Sequence, residues 1–489
     1  MLGLTSSSAM VFSRKALATP LLLTLAATAL ALDPQSPELV SVRWDSGEPS
    51  TGVCGAPRFS RNNRFLAFGC AAGDIVPGDT NNRADSFLLD RGVGTVVRVS
   101  VSSLGQEMPY DSLGGISDED GGRVVFVGFG PLHPDYGAPP PLDAGRGAIY
   151  LRRPMAGQTD LISRTTGGVA LAASANLWDA MLSSKEVLFS FRGDPRVSPL
   201  DNPAISTQLW VLNWSTGVIE LISRTPDGSM SNGGGILASF STDGRYVVFV
   251  SGADDLGPPA VLGHENLYWH DRQTGTIERL SQPWNGGEFI APIQVGPTPP
   301  RVSRDGRYVF FTTNSAEVHP ESPGDGGTYA YLLDRQGGGL EFISQTPGYP
   351  SFNTWQDISD DGRYLAWASR NSVFLGPPNP PPDMRAIWVL DRETGQRVNV
   401  TAPLGPLYED SAISLDLSQD GSNIAFSWRI ADPASSVFAR PLLYTVGLRG
   451  TQPPPPATPV PTLNPFSMIL LAGLALSMGY LAVAKPRRP

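Results

Sequence analysis

Lysine is almost missing from this chain. Lys15, Lys185 and Lys485 are the only three in 489 residues, so a mechanism built on an amine nucleophile has only Lys185, in the polar stretch SSKE, outside the termini. Histidine is nearly as scarce, with His133, His264, His270 and His319 scattered along the chain. No His-x-x-x-His pair and no cysteine cluster is present, which removes the usual zinc ligand patterns. His264 and His270 flank a strand, too far apart to share one ion. No G-x-S-x-G occurs, so the nucleophile elbow of an α/β-hydrolase is absent. The formal charge of −10 argues against nucleic acid, whose phosphates call for a basic face.

Turn formers are abundant instead: 53 Gly and 46 Pro accompany a 41% hydrophobic share, the balance of a turn-rich all-β protein. The stretch FSTDGRYVVF (240–249) returns as VSRDGRYVFF from 302, ISDDGRYLAW from 358 and LSQDGSNIAF from 417. FSRNNRFLAF from 59, ISDEDGGRVVF from 116 and MLSSKEVLFSF from 181 are looser copies. Asp-Gly tolerates the left-handed backbone of a hairpin turn, and the aromatic and β-branched run that follows suits a buried strand. The carboxylates of Asp243, Asp305, Asp361 and Asp420 are expected to cap backbone amides in these turns. A second marker follows each copy: an alternating strand, an Asp-Arg turn and a strand ending in Ser, as in LYWHDRQTGTIERLS (267–281) and YLLDRQGGGLEFIS (331–344). Two hairpins per unit make four antiparallel strands, and seven units at a period of roughly 60 residues predict a seven-bladed β-propeller. The last unit lacks a fourth strand after LLYTVGL (442–448). ELVSVRW (38–44) matches that pattern, which predicts circular closure by the N-terminal strand and one domain over 38–449.

The S-x-D-G-R-[YF] hairpin with its downstream LxxD-x-x-T-G hairpin resembles the TolB-like β-propeller repeat, a relative of the WD-type propellers, over about 410 residues. The resemblance implies the same propeller fold. A rigid propeller presents its loops around a channel rim, a preorganised face for binding.

The ends carry address information. Residues 1–31 are laid out as a signal peptide, with Arg14 and Lys15, an apolar core and Ala29-Leu30-Ala31 as cleavage site, which predicts export. Residues 450–465 form a Pro-rich linker, 466–484 an uncharged run long enough to span a bilayer as a transmembrane helix, and 485–489 a basic cytoplasmic tail. Val460 to Pro489 resembles the IPTL-type C-terminal sorting signal, which implies processing by an exosortase-like protease. The expected location is therefore the inner membrane facing the periplasm, or the cell surface after sorting.

Several residues stand out as candidates. Cys54 and Cys70 are each eight residues from Asn62, so a hairpin turning there brings them face to face for a disulfide in an oxidising compartment. Asp79, Asn81 and Asp85 have the oxygen spacing to wrap Ca²⁺, though Asp and Asn are also ordinary turn formers. Most aromatic residues, Trp269, Trp367 and Trp388 among them, belong to inter-blade core. Trp284 and Tyr349 fall in blade-linking loops and are the better candidates for exposed contacts. On the innermost strands, Arg58, Asp357 and Asp416 are the few charged positions facing the central funnel. The leading expectation is a non-enzymatic module binding protein or surface polysaccharide. The alternative is a propeller enzyme of polysaccharide lyase, glycosidase or lactonase type, marked by a buried acid pair or a metal in the funnel.

Overall fold

The computed structural model describes residues 32–134, 147–171, 176–181, 184–198, 202, 204–258, 260–286, 298–344, 355–369, 384–404, 407–408, 414–429 and 440–449. The expected signal peptide, Pro-rich linker, C-terminal helix and basic tail lie outside them, as does Tyr349. Among the described residues no helix is long and apolar enough to cross a membrane.

Seven antiparallel sheets of four strands follow one another along the chain. Their first and innermost strands are Val53–Phe59, Ser112–Ser117, Asn176–Met181, Ile236–Phe240, Arg301–Val302, Gln356–Ile358 and Leu415–Leu417. The sixth sheet carries one extra short strand, Leu407–Tyr408, paired to Met384–Asp391. In the seventh, Leu415–Leu417, Asn423–Trp428 and Leu442–Gly447 are completed by Glu38–Leu39, with Glu38 opposite Thr445 and Leu39 opposite Tyr444. The closing strand is shorter than its sequence pattern suggests. Beyond Leu39 the Val40 amide still donates to Leu443 O at 2.8 Å, but Val42 turns away to bridge Pro49.

The second strand of each blade is packed on both faces by neighbouring blades, which is why it reads as an unbroken apolar run rather than an alternation. Val247, Val248, Phe249 and Val250 are all fully buried. Each such side chain contributes about 1.5–3 kcal/mol of transfer free energy. Phe249 and Tyr268 of the fourth blade share one apolar cluster with Leu188 and Val211 of the third, so the cores lie between blades.

The repeated motif does more than turn the chain. Ser241 Oγ donates to Asp243 Oδ1 (2.6 Å) and accepts from Tyr246 N (2.9 Å), while Asp243 Oδ1 also accepts Arg245 N (3.0 Å). The expected capping role of the acid is therefore met, with the serine as its partner. Gly244, Gly306, Gly362 and Gly421 all hold φ near +70°. Arg245 forms a two-pronged ion pair with Asp271 of the following Asp-Arg turn, at 3.0 and 2.6 Å. Arg307–Asp334 and Arg363–Asp391 repeat it. The two sequence markers are thus two halves of one clamp. In the seventh blade, Ser422 and Gly447 stand at these places and both halves are lost together.

Cys54 and Cys70 form the expected disulfide. The route to it differs from a plain symmetric hairpin. Near the turn Phe59 opposes Leu66, a register that carried straight on would set Cys54 against Ala71. A β-bulge between Gly55 and Arg58, with Ala56 at φ 52°, shifts the pairing by one and brings the cysteines together.

Candidate functional site

Aligning the seven inner strands on their hairpins places one residue of each at the hub: Arg58, Gly115, Asp179, Ser239, Arg301, Asp357 and Asp416. All of these but Gly115 line a cavity of about 510 Å³. The turns joining first and second strands form its mouth, where Asp118, Glu119, Asp120, Asp360, Arg61 and Arg123 gather. The structure therefore brings together Arg58, Asp357 and Asp416, the three funnel candidates, and adds two residues that sequence reasoning missed, Asp179 and Arg301. The missed signal was positional. Each stands one residue before an apolar residue of the innermost strand, Asp179 before Ala180 and Arg301 before Val302, a place open to charge because it faces the channel.

Each hub carboxylate is tied to backbone. Asp416 Oδ2 accepts Phe59 N of the first blade at 2.7 Å, and Asp357 Oδ2 accepts Leu417 N of the seventh at 2.8 Å. Asp179 Oδ2 accepts Phe240 N of the fourth at 3.0 Å. A carboxylate from one blade thus satisfies an amide in the next. Their second oxygens are engaged as well: Asp357 Oδ1 by Ile358 N (3.0 Å), Asp179 Oδ1 by Ala180 N (2.9 Å), and Asp416 Oδ1 by Arg58 Nη1 (3.3 Å).

Burial sets the protonation of this ring. It pushes Asp416 up to about 7, with Asp357 adding to the rise while Arg58 opposes it. Burial lowers Arg301 from the usual arginine value, and the like charge of Arg58 lowers it further. Arg58 is desolvated too, but Asp416, Asp179 and Asp357 outweigh that and raise it. At the mouth, burial raises Asp360, whose Oδ1 accepts Thr242 Oγ1 at 2.5 Å across two blades.

The other candidates fall elsewhere. Asp79 and Asp85 meet around a cation of the chain's own: Arg98 Nη1 lies 2.9 Å from Asp79, 3.8 Å from Asp85 and 2.7 Å from Glu107. Asn81 Nδ2 donates to Asp85 Oδ2 at 2.9 Å, so the amide joins the acids as a donor rather than as an oxygen ligand. Burial pushes Asp79 up to about 6. Among the described residues no group of three His, Cys, Asp or Glu is arranged to hold a metal. Trp284 is 59% exposed, as expected of a contact residue, with its amide donating to Glu317 O at 2.9 Å. It sits in a link from the fourth strand of one blade to the first of the next, at the end of the propeller opposite the hub's mouth. Lys185 is a turn residue at φ 62°, its amine 3.5 Å from Ser215 Oγ. His270 is fully buried with neither ring nitrogen hydrogen-bonded, and burial drops it to about 4.

The fold and hub define a seven-bladed propeller with a charged central channel. No family model matches the sequence, and no curated protein does. Solved structures of similar fold include an oligogalacturonate lyase from Vibrio parahaemolyticus, 12% identical with a TM-score of 0.47 over 85% of this chain and 98% of that one. TolB from Acinetobacter baumannii is 15% identical with a TM-score of 0.37, over 83% and 81% of the two chains. A putative TolB from Agrobacterium tumefaciens is 14% identical with a TM-score of 0.36, over 60% and 81%. At these identities the likeness is one of fold alone.

Proposed function

We propose that this chain is an exported propeller, tethered to or sorted through the membrane by its C-terminal segment, and that it acts as a non-enzymatic protein- or glycan-binding module. The hub channel is its binding mouth. One observation carries this reading: the channel is about 510 Å³, within the ~300–1,000 Å³ of small-ligand sites, yet its three hub carboxylates are committed to backbone amides. Acids held this way stiffen the ring and are poorly placed to attack a substrate. The exposed Trp284 is a second contact point at the opposite end. The test is to probe glycan and envelope-protein arrays with the purified chain and its Thr242→Trp variant, which fills the channel mouth. Retention lost in Thr242→Trp supports the channel, whereas retention lost only in Trp284→Ala moves the site to the other face.

The alternative, a propeller enzyme of lyase, glycosidase or lactonase type, has one observation on its side. Asp416 is buried beside Asp357 and titrates near 7, where a carboxyl can carry a proton. It predicts turnover of a bound saccharide that Asp416→Asn abolishes without loss of retention.

A further inference from the structure

Donors and acceptors at the hub are out of balance. The acceptors are spoken for, since both oxygens of Asp179, Asp357 and Asp416 take a hydrogen bond from backbone or from Arg58. The donors are not. Arg301 is only 6% exposed and lines the cavity, yet its Nε has no hydrogen-bond partner among the described residues. Its one ion-pair contact runs from Nε to Asp357 Oδ1 at 3.4 Å, without hydrogen-bond geometry. Arg58, on the same cavity, spends a single N–H on Asp416. A guanidinium carries five N–H donors in a planar fork. A buried polar group without partners costs free energy unless something else satisfies it, and the Arg301 fork, with the part-exposed Arg58 fork holding donors to spare in the same chamber, calls for a shared acceptor.

We propose that the hub is an oxyanion site, in which Arg58 and Arg301 together hold one carboxylate, sulfate or phosphate head at the inner end of the channel. This rests on the reading of the channel as the binding mouth and gives its ligand a chemical class. Carboxylate and phosphate geometry matches the guanidinium fork, and desolvation strengthens such charge-assisted hydrogen bonds. The mouth narrows the class further. Asp118 is engaged by Arg123 at 2.7 Å, which leaves Glu119, Asp120 and Asp360 facing the single cation Arg61 among the charged lining residues of the mouth, so a polyanion meets net repulsion before it reaches the hub arginines. The fitting ligand has a single anionic head and a body rich in hydroxyl or amine donors for Asp360 and its neighbours.

The experiment uses the full chain, titrated separately with sodium acetate, sodium sulfate and sodium phosphate against chloride at fixed ionic strength, followed by calorimetry and by thermal shift. At least one oxyanion binds saturably to the unsubstituted protein. Arg301→Met weakens it by roughly tenfold or more, the loss expected when charge-assisted hydrogen bonds go. Arg301→Lys keeps the charge but not the fork and also weakens binding, so the result does not depend on how one variant folds. The anion that binds best separates carboxylate from sulfate and phosphate ligands. No saturable binding of any of the three, or binding unchanged in both Arg301 variants, overturns the proposal and assigns the spare donors to water. If the oxyanions fail while the Thr242→Trp variant still loses array retention, the inference falls and the channel reading stands. If retention survives Thr242→Trp, the channel reading falls with it.

Discussion

The ring of Tyr308 packs against Gly362 of the next blade, so close that a Cβ on the glycine would sit 2.2 Å from Tyr308 Cδ2. Arg307 and Arg392 stack on the same ring with centroid distances of 4.6 and 4.5 Å. Gly306 meets Tyr246 and Gly421 meets Tyr364 in the same way. The motif's glycine and tyrosine are thus partners across the seam between blades, and its arginines brace the contact.

Gly362→Ala is expected to destabilise the protein by about 2–5 kcal/mol, combining ~1–2 for a side chain in the left-handed region with ~1–3 for overpacking. Gly395 has the same backbone angle, φ +71°, but open space around it. Gly395→Ala therefore pays only the backbone part, about 1–2 kcal/mol. Denaturant midpoints that shift equally in the two variants would refute the seam contact.

The clamp ion pairs differ in worth by burial. Arg363 and Asp391 have side chains 15% and 0% exposed, whereas Arg64 and Asp90 are 47% and 16% exposed. Arg363→Met strands a buried carboxylate and is expected to cost about 3–5 kcal/mol, against ~1 kcal/mol or less for Arg64→Met. Double-mutant cycles with Asp391→Asn and Asp90→Asn measure the two couplings.

His270 makes stability depend on pH. It is neutral in the fold with a value near 4, while the unfolded chain protonates it at 6.5. Between those values the unfolded state binds more protons, so this contribution is fully present above pH 6.5 and is lost as pH falls toward 4. Its size is on the order of 3 kcal/mol. Asp416, raised by burial, runs the opposite way, its contribution being lost as pH rises through about 7. The readout is therefore how the stability difference between the parent and His270→Leu changes with pH: it should shift in the parent's favour by about 3 kcal/mol as pH rises from below 4 to above 6.5, and be flat beyond both limits.

Reducing the Cys54–Cys70 bridge, or replacing it in Cys54→Ala/Cys70→Ala, releases a loop of sequence separation 16. The expected loss is about 3 kcal/mol. Equal denaturant midpoints with and without reductant would sink this.

Much of the architecture was legible because repeats multiply weak signals. One S-x-D-G-R-Y is a turn, but several at one period are blades, and the missing strand after Leu448 pointed to Glu38–Leu39. The disulfide was legible for an incomplete reason, since the bulge at Ala56 has no sequence signature. Arg58, Asp357 and Asp416 were found as charges on buried strands. Asp179 and Arg301 escaped because the third copy lacks the Asp-Gly turn needed to align it, and because the strand that Arg301 begins is only two residues long. Calcium ligation by Asp79, Asn81 and Asp85 was suggested by oxygen spacing alone, which cannot register that Arg98, some distance on in the chain, folds in among them.

The pairing of Glu38 with Thr445 has a kinetic side. The strand made first waits without a partner until nearly the whole chain has followed it, and the entropy of closing so long a loop must be met before the pairing gives any return. Six blades can form from contacts within and between neighbours while the ring is still open. The last step joins the first and last strands of the propeller, so truncation or delay at either of them leaves an unpaired sheet edge, the template on which another chain can assemble.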